Sequence, residues 1–113
     1  VNVHAALRAI NGSSGRSWCT LQRFPENVLT GEPYRFALGM HCKDMANAME
    51  LLGDEHAAPM MARARALMER AKARYGADAD HTDTSRLAEE ANGVRFIEVA
   101  ARDEPLGDGA AKL

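Results

Sequence analysis

The fold prediction depends on residues 34–75, which have the sequence YRFALGMHCKDMANAMELLGDEHAAPMMARARALMERAKARY. Within this stretch the apolar residues first recur at every second position and then at every third or fourth. Alternation with period two is typical of a half-buried strand, whereas a spacing near 3.6 is typical of an amphipathic helix. The stretch therefore predicts one strand followed by two helices.

Three strands are predicted in all. The strand over residues 34–40 places four side chains on one face: Tyr34, Phe36, Leu38 and Met40. Residues 18–24 are rich in strand formers, and residues 25–33 would connect these two segments as a long hairpin loop. A third strand is predicted at residues 94–100, where Phe96 lies across from Ile97 and Val99.

Four helices are predicted, over residues 1–10, 44–52, 59–75 and 84–91. Asp44 and Asp83 are suitable N-caps for two of them. The helix over residues 59–75 has the strongest signals, because Pro59 suits a first helical turn and Gly76 suits a C-cap. The resulting order is α-β-β-α-α-α-β.

This order predicts the α+β class, with a small three-stranded, mostly antiparallel sheet and helices packed on one face. The 113 residues fit one domain. We expect that domain to span residues 1–101 and to be followed by a flexible C-terminal tail over residues 102–113.

Composition argues against several classes of protein. The formal net charge of -2 gives no general attraction to nucleic acid or anionic lipid. No apolar run approaches the ~18 residues of a membrane span, and the first ten residues lack the features of a signal peptide. We therefore expect a bacterial protein located in the cytoplasm, with Cys19 and Cys42 as reduced thiols.

The leading functional hypothesis is a non-enzymatic interaction or accessory protein, acting as a homodimer or as a small subunit bound to another protein. No motif for phosphate binding, nucleophilic catalysis or metal-dependent hydrolysis occurs in the sequence. Neither a cofactor nor a metal is expected, because His41 and Cys42 are the sole closely spaced pair of zinc-type ligands.

Two groups of residues are predicted to contact a partner. Residues 63–74 hold five basic side chains and one acidic side chain, and Arg63, Arg70 and Arg74 form one stripe for polar contact. Val28 and Leu29 are the apolar pair of the 25–33 loop. They would contact a partner if exposed, or cover the core if folded back, and the sequence leaves both possibilities open.

Two alternative functions remain open. One is a small-ligand-binding or enzymatic domain, whose pocket between sheet and helices would be lined by Trp18, Tyr34, Phe36, His41 and Asp44. The other is a nucleic-acid-binding regulator that uses the basic helix 59–75. It is not favoured, because no aromatic residue interleaves with the arginines to stack on bases.

Overall fold

A computed structural model describes residues 1–103 and 105. The elements in chain order are α1 (Val3–Asn11), a π-helix (Cys19–Val28), α2 (Leu38–Leu52), α3 (Pro59–Tyr75), a 3₁₀ helix (His81–Ser85), α4 (Arg86–Asn92) and α5 (Phe96–Arg102). The described residues form no strand, and their one extended pairing is an isolated antiparallel bridge between Ala37 and Asp80. The α+β prediction is therefore wrong. Most of the predicted tail over residues 102–113 lies outside the described residues.

Of the predicted strand over residues 34–40, the last three residues begin α2, and residues 34–37 form no regular element apart from the bridge at Ala37. Leu38 falls one helical turn before Cys42, so a helical face begins there in place of the strand. In the structure Leu38, Cys42 and Met49 are buried on one side of α2. The helix thus begins six residues before the predicted cap, and Asp44 lies inside it.

The predicted strand over residues 18–24 falls in the π-helix, which contains Pro25. Proline has no N–H to donate, so regular α-helical bonding is interrupted there. At the end of this element the Leu29 N–H donates to the Phe24 carbonyl, five residues earlier, at 3.0 Å, which is the π-helical spacing.

The third predicted strand, over residues 94–100, is replaced by α5. Phe96 and Val99 are half-buried and lie three residues apart, as one face of a helix requires. A Glu89 carboxylate oxygen accepts the Phe96 N–H at 2.8 Å and thereby caps the start of α5.

The predictions for the first helix and for residues 59–75 are confirmed. Pro59 begins α3, and Gly76 ends it with φ 100°, a conformation that favours glycine. The last predicted helix begins earlier than expected, as a 3₁₀ helix that Asp80 caps in place of Asp83.

The chain divides into two compact units. One comprises Val1–Glu32 and the described residues from Glu89 onward; the other comprises Pro33–Ala88. In the first, α1 contacts both the π-helix and α5, and Leu29 is buried. In the second, α2 packs on α3, and the 3₁₀ helix contacts both. That residues 1–101 form a single domain stays a prediction.

The core of the second unit consists of Leu38, Cys42 and Ala71, which are almost completely buried. Four half-buried side chains pack around them: Met68, Tyr75, Ala79 and Leu87. Among the helices built from the described residues, none is long and apolar enough to cross a membrane. The cytoplasmic location stays a prediction.

Candidate functional site

Two aromatic and two imidazole rings meet at the start of α2. The His41 ring centroid lies 5.3 Å from that of His81 and 5.9 Å from that of Phe36. His81 also contacts Phe36 and Tyr34 edge-on, at 5.8 and 5.4 Å. We call these four residues the imidazole–aromatic cluster. It draws two histidines that are 40 positions apart in sequence into one group.

The cluster contains a buried ring nitrogen whose hydrogen-bonding capacity is not used by the described residues. The His41 Nδ1 atom is shielded from solvent and has no hydrogen-bond partner within the described part of the chain. Buried polar atoms are normally paired, so an unpaired ring nitrogen is an exception that requires a reason.

Asp80 fixes the backbone that carries the two aromatic rings. Its Oδ1 accepts the N–H groups of Arg35 and Phe36 at 2.7 and 3.1 Å, and its Oδ2 accepts the Tyr34 N–H at 3.2 Å. Oδ2 also accepts the N–H and the hydroxyl of Thr82. Burial acts to raise the pKa of Asp80, but these hydrogen bonds, led by those from Thr82, bring it below its ordinary value.

The first turn of α2 is held by the loop that precedes the 3₁₀ helix. The Leu38 N–H donates to the Ala79 carbonyl at 2.7 Å, and the Gly39 N–H donates to the Ala77 carbonyl at 2.9 Å. A Cβ on Gly39 would come within 3.1 Å of the Ala77 side chain, so glycine permits this close approach. The amides that are usually unpaired at a helix start are thereby satisfied by protein.

Three polar side chains lie on the outer side of α2, just after the cluster. Lys43, Asp44 and Asn47 are all exposed, and we call them the polar ridge. Lys43 and Asn47 are one helical turn apart and therefore lie on the same face. Lys43 has no ion pair with a carboxylate in residues 1–103 or 105. The ridge thus presents an ammonium, a carboxylate and an amide from one rigid helix.

Cys42 lies between these groups in sequence but is unsuited to chemistry. It is 1% exposed. Burial raises the pKa of its thiol, and Glu69 raises it further while Lys72 opposes the effect. A protonated, inaccessible thiol is a poor nucleophile, so Cys42 acts as a core residue.

The basic residues of α3 differ in exposure. Arg63, Arg70 and Arg74, the predicted partner contacts, are exposed. Lys72 is half-buried and forms an ion pair with Glu69 at 2.6 Å, one turn earlier on the same helix. The exposed stripe is compatible with a polar partner, and that contact stays a prediction.

A family model identifies the chain. The family described as NAD-binding of NADP-dependent 3-hydroxyisobutyrate dehydrogenase matches residues 1–88, most of the 113-residue chain. The chain belongs to this family. No curated protein matches it.

Membership in this dehydrogenase family overturns the hypothesis of a non-enzymatic accessory protein. The alternative of a ligand-binding or enzymatic domain agrees better with the family. The structure brings together three of the five residues predicted for its pocket: Tyr34, Phe36 and His41. Asp44 is exposed on α2, and Trp18 is exposed in the other compact unit.

The described residues of this family member form helices and loops and no strand. Doubly wound dinucleotide-binding domains cradle pyrophosphate at a glycine-rich turn between a strand and a helix. No such turn exists in the described residues, since they form no strand. Contacts with a dinucleotide would therefore come from helical side chains and from the loops between them.

The predicted apolar contact, Val28 and Leu29, lies in the first unit. Leu29 is 6% exposed and Val28 is half-buried, so the pair folds back towards the core of that unit. Their role in partner binding stays a prediction. No group of three or more potential metal ligands converges among the described residues.

Sequence reasoning missed five residues of the site: Arg35, Lys43, Asn47, Asp80 and His81. A signal for two of them existed, because Asp80 and Asp83 are spaced as a capping box. That spacing indicates a helix that begins at His81, with the Asp80 side chain accepting hydrogen bonds from nearby backbone N–H groups. Lys43 had no such signal, because an exposed lysine on a helix is ordinary.

Proposed function

We propose that this chain is part of a pyridine-dinucleotide-dependent dehydrogenase acting on a small hydroxy acid, and that the polar ridge of α2 contacts the dinucleotide. The observation that carries the proposal is the family match over residues 1–88. The imidazole–aromatic cluster and the polar ridge support it, because both lie within the matched residues.

The side chains of the ridge suit the chemical groups of a dinucleotide. The positive charge of the Lys43 ammonium complements the negative charge of a phosphate, and the Asp44 carboxylate can accept a hydrogen bond from a ribose hydroxyl. The Asn47 amide can donate to a phosphate or pair with a carboxamide. Tyr34, which is 46% exposed, adds an aromatic surface at the cluster.

The hydrogen bonds around the cluster would keep these side chains in place. Asp80 fixes residues 34–36, and the carbonyls of Ala77 and Ala79 fix the first turn of α2. A binding group mounted on a rigid element loses less conformational freedom when it binds. The bound dinucleotide would supply hydride transfer, and this chain would orient it.

Binding of the dinucleotide is the direct test. Isothermal titration calorimetry would measure the dissociation constants of the 113-residue chain for NADP+ and NAD+. We expect saturable binding, which Lys43→Gln weakens about tenfold, the effect of losing one charge-assisted hydrogen bond. Arg95→Gln removes the same charge from an exposed position outside the matched residues 1–88 and should change the dissociation constant less than about twofold.

Two outcomes would contradict the proposal. Absence of binding by the wild-type chain to either dinucleotide would remove it. Equal weakening by Lys43→Gln and Arg95→Gln would show that general charge, rather than the ridge, attracts the dinucleotide.

A further inference from the structure

Arg35 has the one positive φ among the described residues other than glycine, at 71°. A side chain with a Cβ is disfavoured in this left-handed region. Such backbone strain occurs preferentially at functional positions, where surrounding contacts hold it in place.

The contact that holds it is the Asp80 carboxylate. The N–H groups of Tyr34, Arg35 and Phe36 all point to this one carboxylate. Successive N–H groups converge in this way when a left-handed residue bends the chain into an anion-binding concavity. The backbone at position 35 is thus bent in order to meet Asp80.

The bend itself does not need an arginine. Glycine would adopt a φ of 71° without steric cost and would offer Asp80 the same N–H. What an arginine adds at this position is its guanidinium. Arg35 is exposed, and it forms no ion pair with any carboxylate in the described part of the chain.

We infer that Arg35 binds an oxyanion beside the imidazole–aromatic cluster. A guanidinium recognises phosphate and carboxylate alike, through two parallel hydrogen bonds. Because the inference rests on the proposed function, the oxyanion is either a phosphate of the dinucleotide or the carboxylate of the hydroxy acid. Arg35 lies between Tyr34 and Phe36, so this anion would be held beside the two aromatic rings of the cluster.

Two variants separate the charge of Arg35 from its backbone. Arg35→Gln removes the charge and keeps a side chain at the strained φ, whereas Arg35→Gly removes the charge and relieves the strain. Arg95→Gln, at another exposed arginine, is the matched control for charge. Urea unfolding of each variant would verify that the protein is folded, and Arg35→Gly is the variant most certain to fold.

Two probes distinguish the sources of the oxyanion. Calorimetry with NADP+ reports phosphate binding, and calorimetry with 3-hydroxyisobutyrate reports carboxylate binding. We expect both Arg35 variants to lose affinity about tenfold or more for one of the two probes, with less than about twofold loss in Arg95→Gln.

The failures of the two proposals are distinguishable. If the wild-type chain binds NADP+ and both Arg35 variants bind both probes within about twofold of it, the Arg35 inference is wrong and the proposed function stands. If the wild-type chain binds neither probe, the proposed function is wrong and the Arg35 inference falls with it.

Discussion

Asp80 is the residue whose loss should disturb the site most. It caps the 3₁₀ helix and accepts hydrogen bonds from both segments that meet at the cluster. Asp80→Ala would remove the cap, at a cost of about 1 kcal/mol, and leave the partly buried Phe36 N–H unpaired, at a cost of about 1–3 kcal/mol. Relief of the strain at Arg35 would offset about 1 kcal/mol of this loss.

We therefore expect Asp80→Ala to lower the free energy of unfolding by about 2 kcal/mol at pH 7. Urea unfolding followed by far-ultraviolet circular dichroism would measure it. Hydrogen exchange would localise the effect, because the amides of Leu38 and Gly39 bond to the same loop and should exchange faster. Asp78→Ala, at an exposed position of that loop, is the control and should change stability by less than about 0.5 kcal/mol.

The contribution of Asp80 to the free energy of unfolding should depend on pH in a definite direction. Folding lowers the pKa of Asp80 from its ordinary value of 3.8, so the ionised carboxylate stabilises the folded state. This contribution is complete when the pH is above the pKa of Asp80 in the unfolded chain. It is lost as the pH falls through the lower pKa of Asp80 in the folded chain. The stability difference between wild type and Asp80→Asn should be full at pH 6 and should shrink below about pH 4. A difference that stays constant down to about pH 3, or no loss in Asp80→Ala at pH 7, would refute the assigned role.

Leu38 is completely buried, so Leu38→Ala should cost about 2–5 kcal/mol in urea unfolding, whereas Val1→Ala, at a fully exposed residue, should cost almost nothing; equal losses would contradict the described core. A thiol reagent should modify one cysteine of the native chain, the exposed Cys19, and both in urea, because Cys42 is buried with a raised pKa. Rapid modification of two thiols in the native chain would contradict that burial. The predicted homodimer can use the exposed apolar residues Leu51, Leu52 and Met60 around the turn between α2 and α3. Native mass spectrometry should then show a dimer that Leu51→Lys with Met60→Lys dissociates, and a monomeric wild type would remove the prediction.

The sequence predicts elements well where local signals agree. Residues 59–75 combine a proline at the start, strong helix formers and a terminal glycine, and α3 follows those bounds. The prediction for residues 34–40 fails because the apolar alternation indicates one strand, whereas the segment changes from loop to helix at Leu38. That change depends on the distant Ala77 and Ala79, whose carbonyls accept N–H groups from the first turn of α2.

The candidate site shows the same difference between local and distant signals. Tyr34, Phe36 and His41 are close in sequence, and the sequence predicts them as part of one pocket. His81 could not be joined to them, because the loop that returns it to the cluster is ordered by Asp80. Arg35 could not be distinguished either, since its positive φ results from that same carboxylate.

Dinucleotide binding at the polar ridge is tested most directly by titrating NADP+ into the isotope-labelled chain and following its backbone amides and the Trp18 indole N–H by nuclear magnetic resonance. We predict saturable shifts concentrated in residues 34–47 and at His81, with the Trp18 indole in the other unit unaffected. Absence of saturable shifts, or shifts confined to the first unit, would contradict dinucleotide binding at the polar ridge.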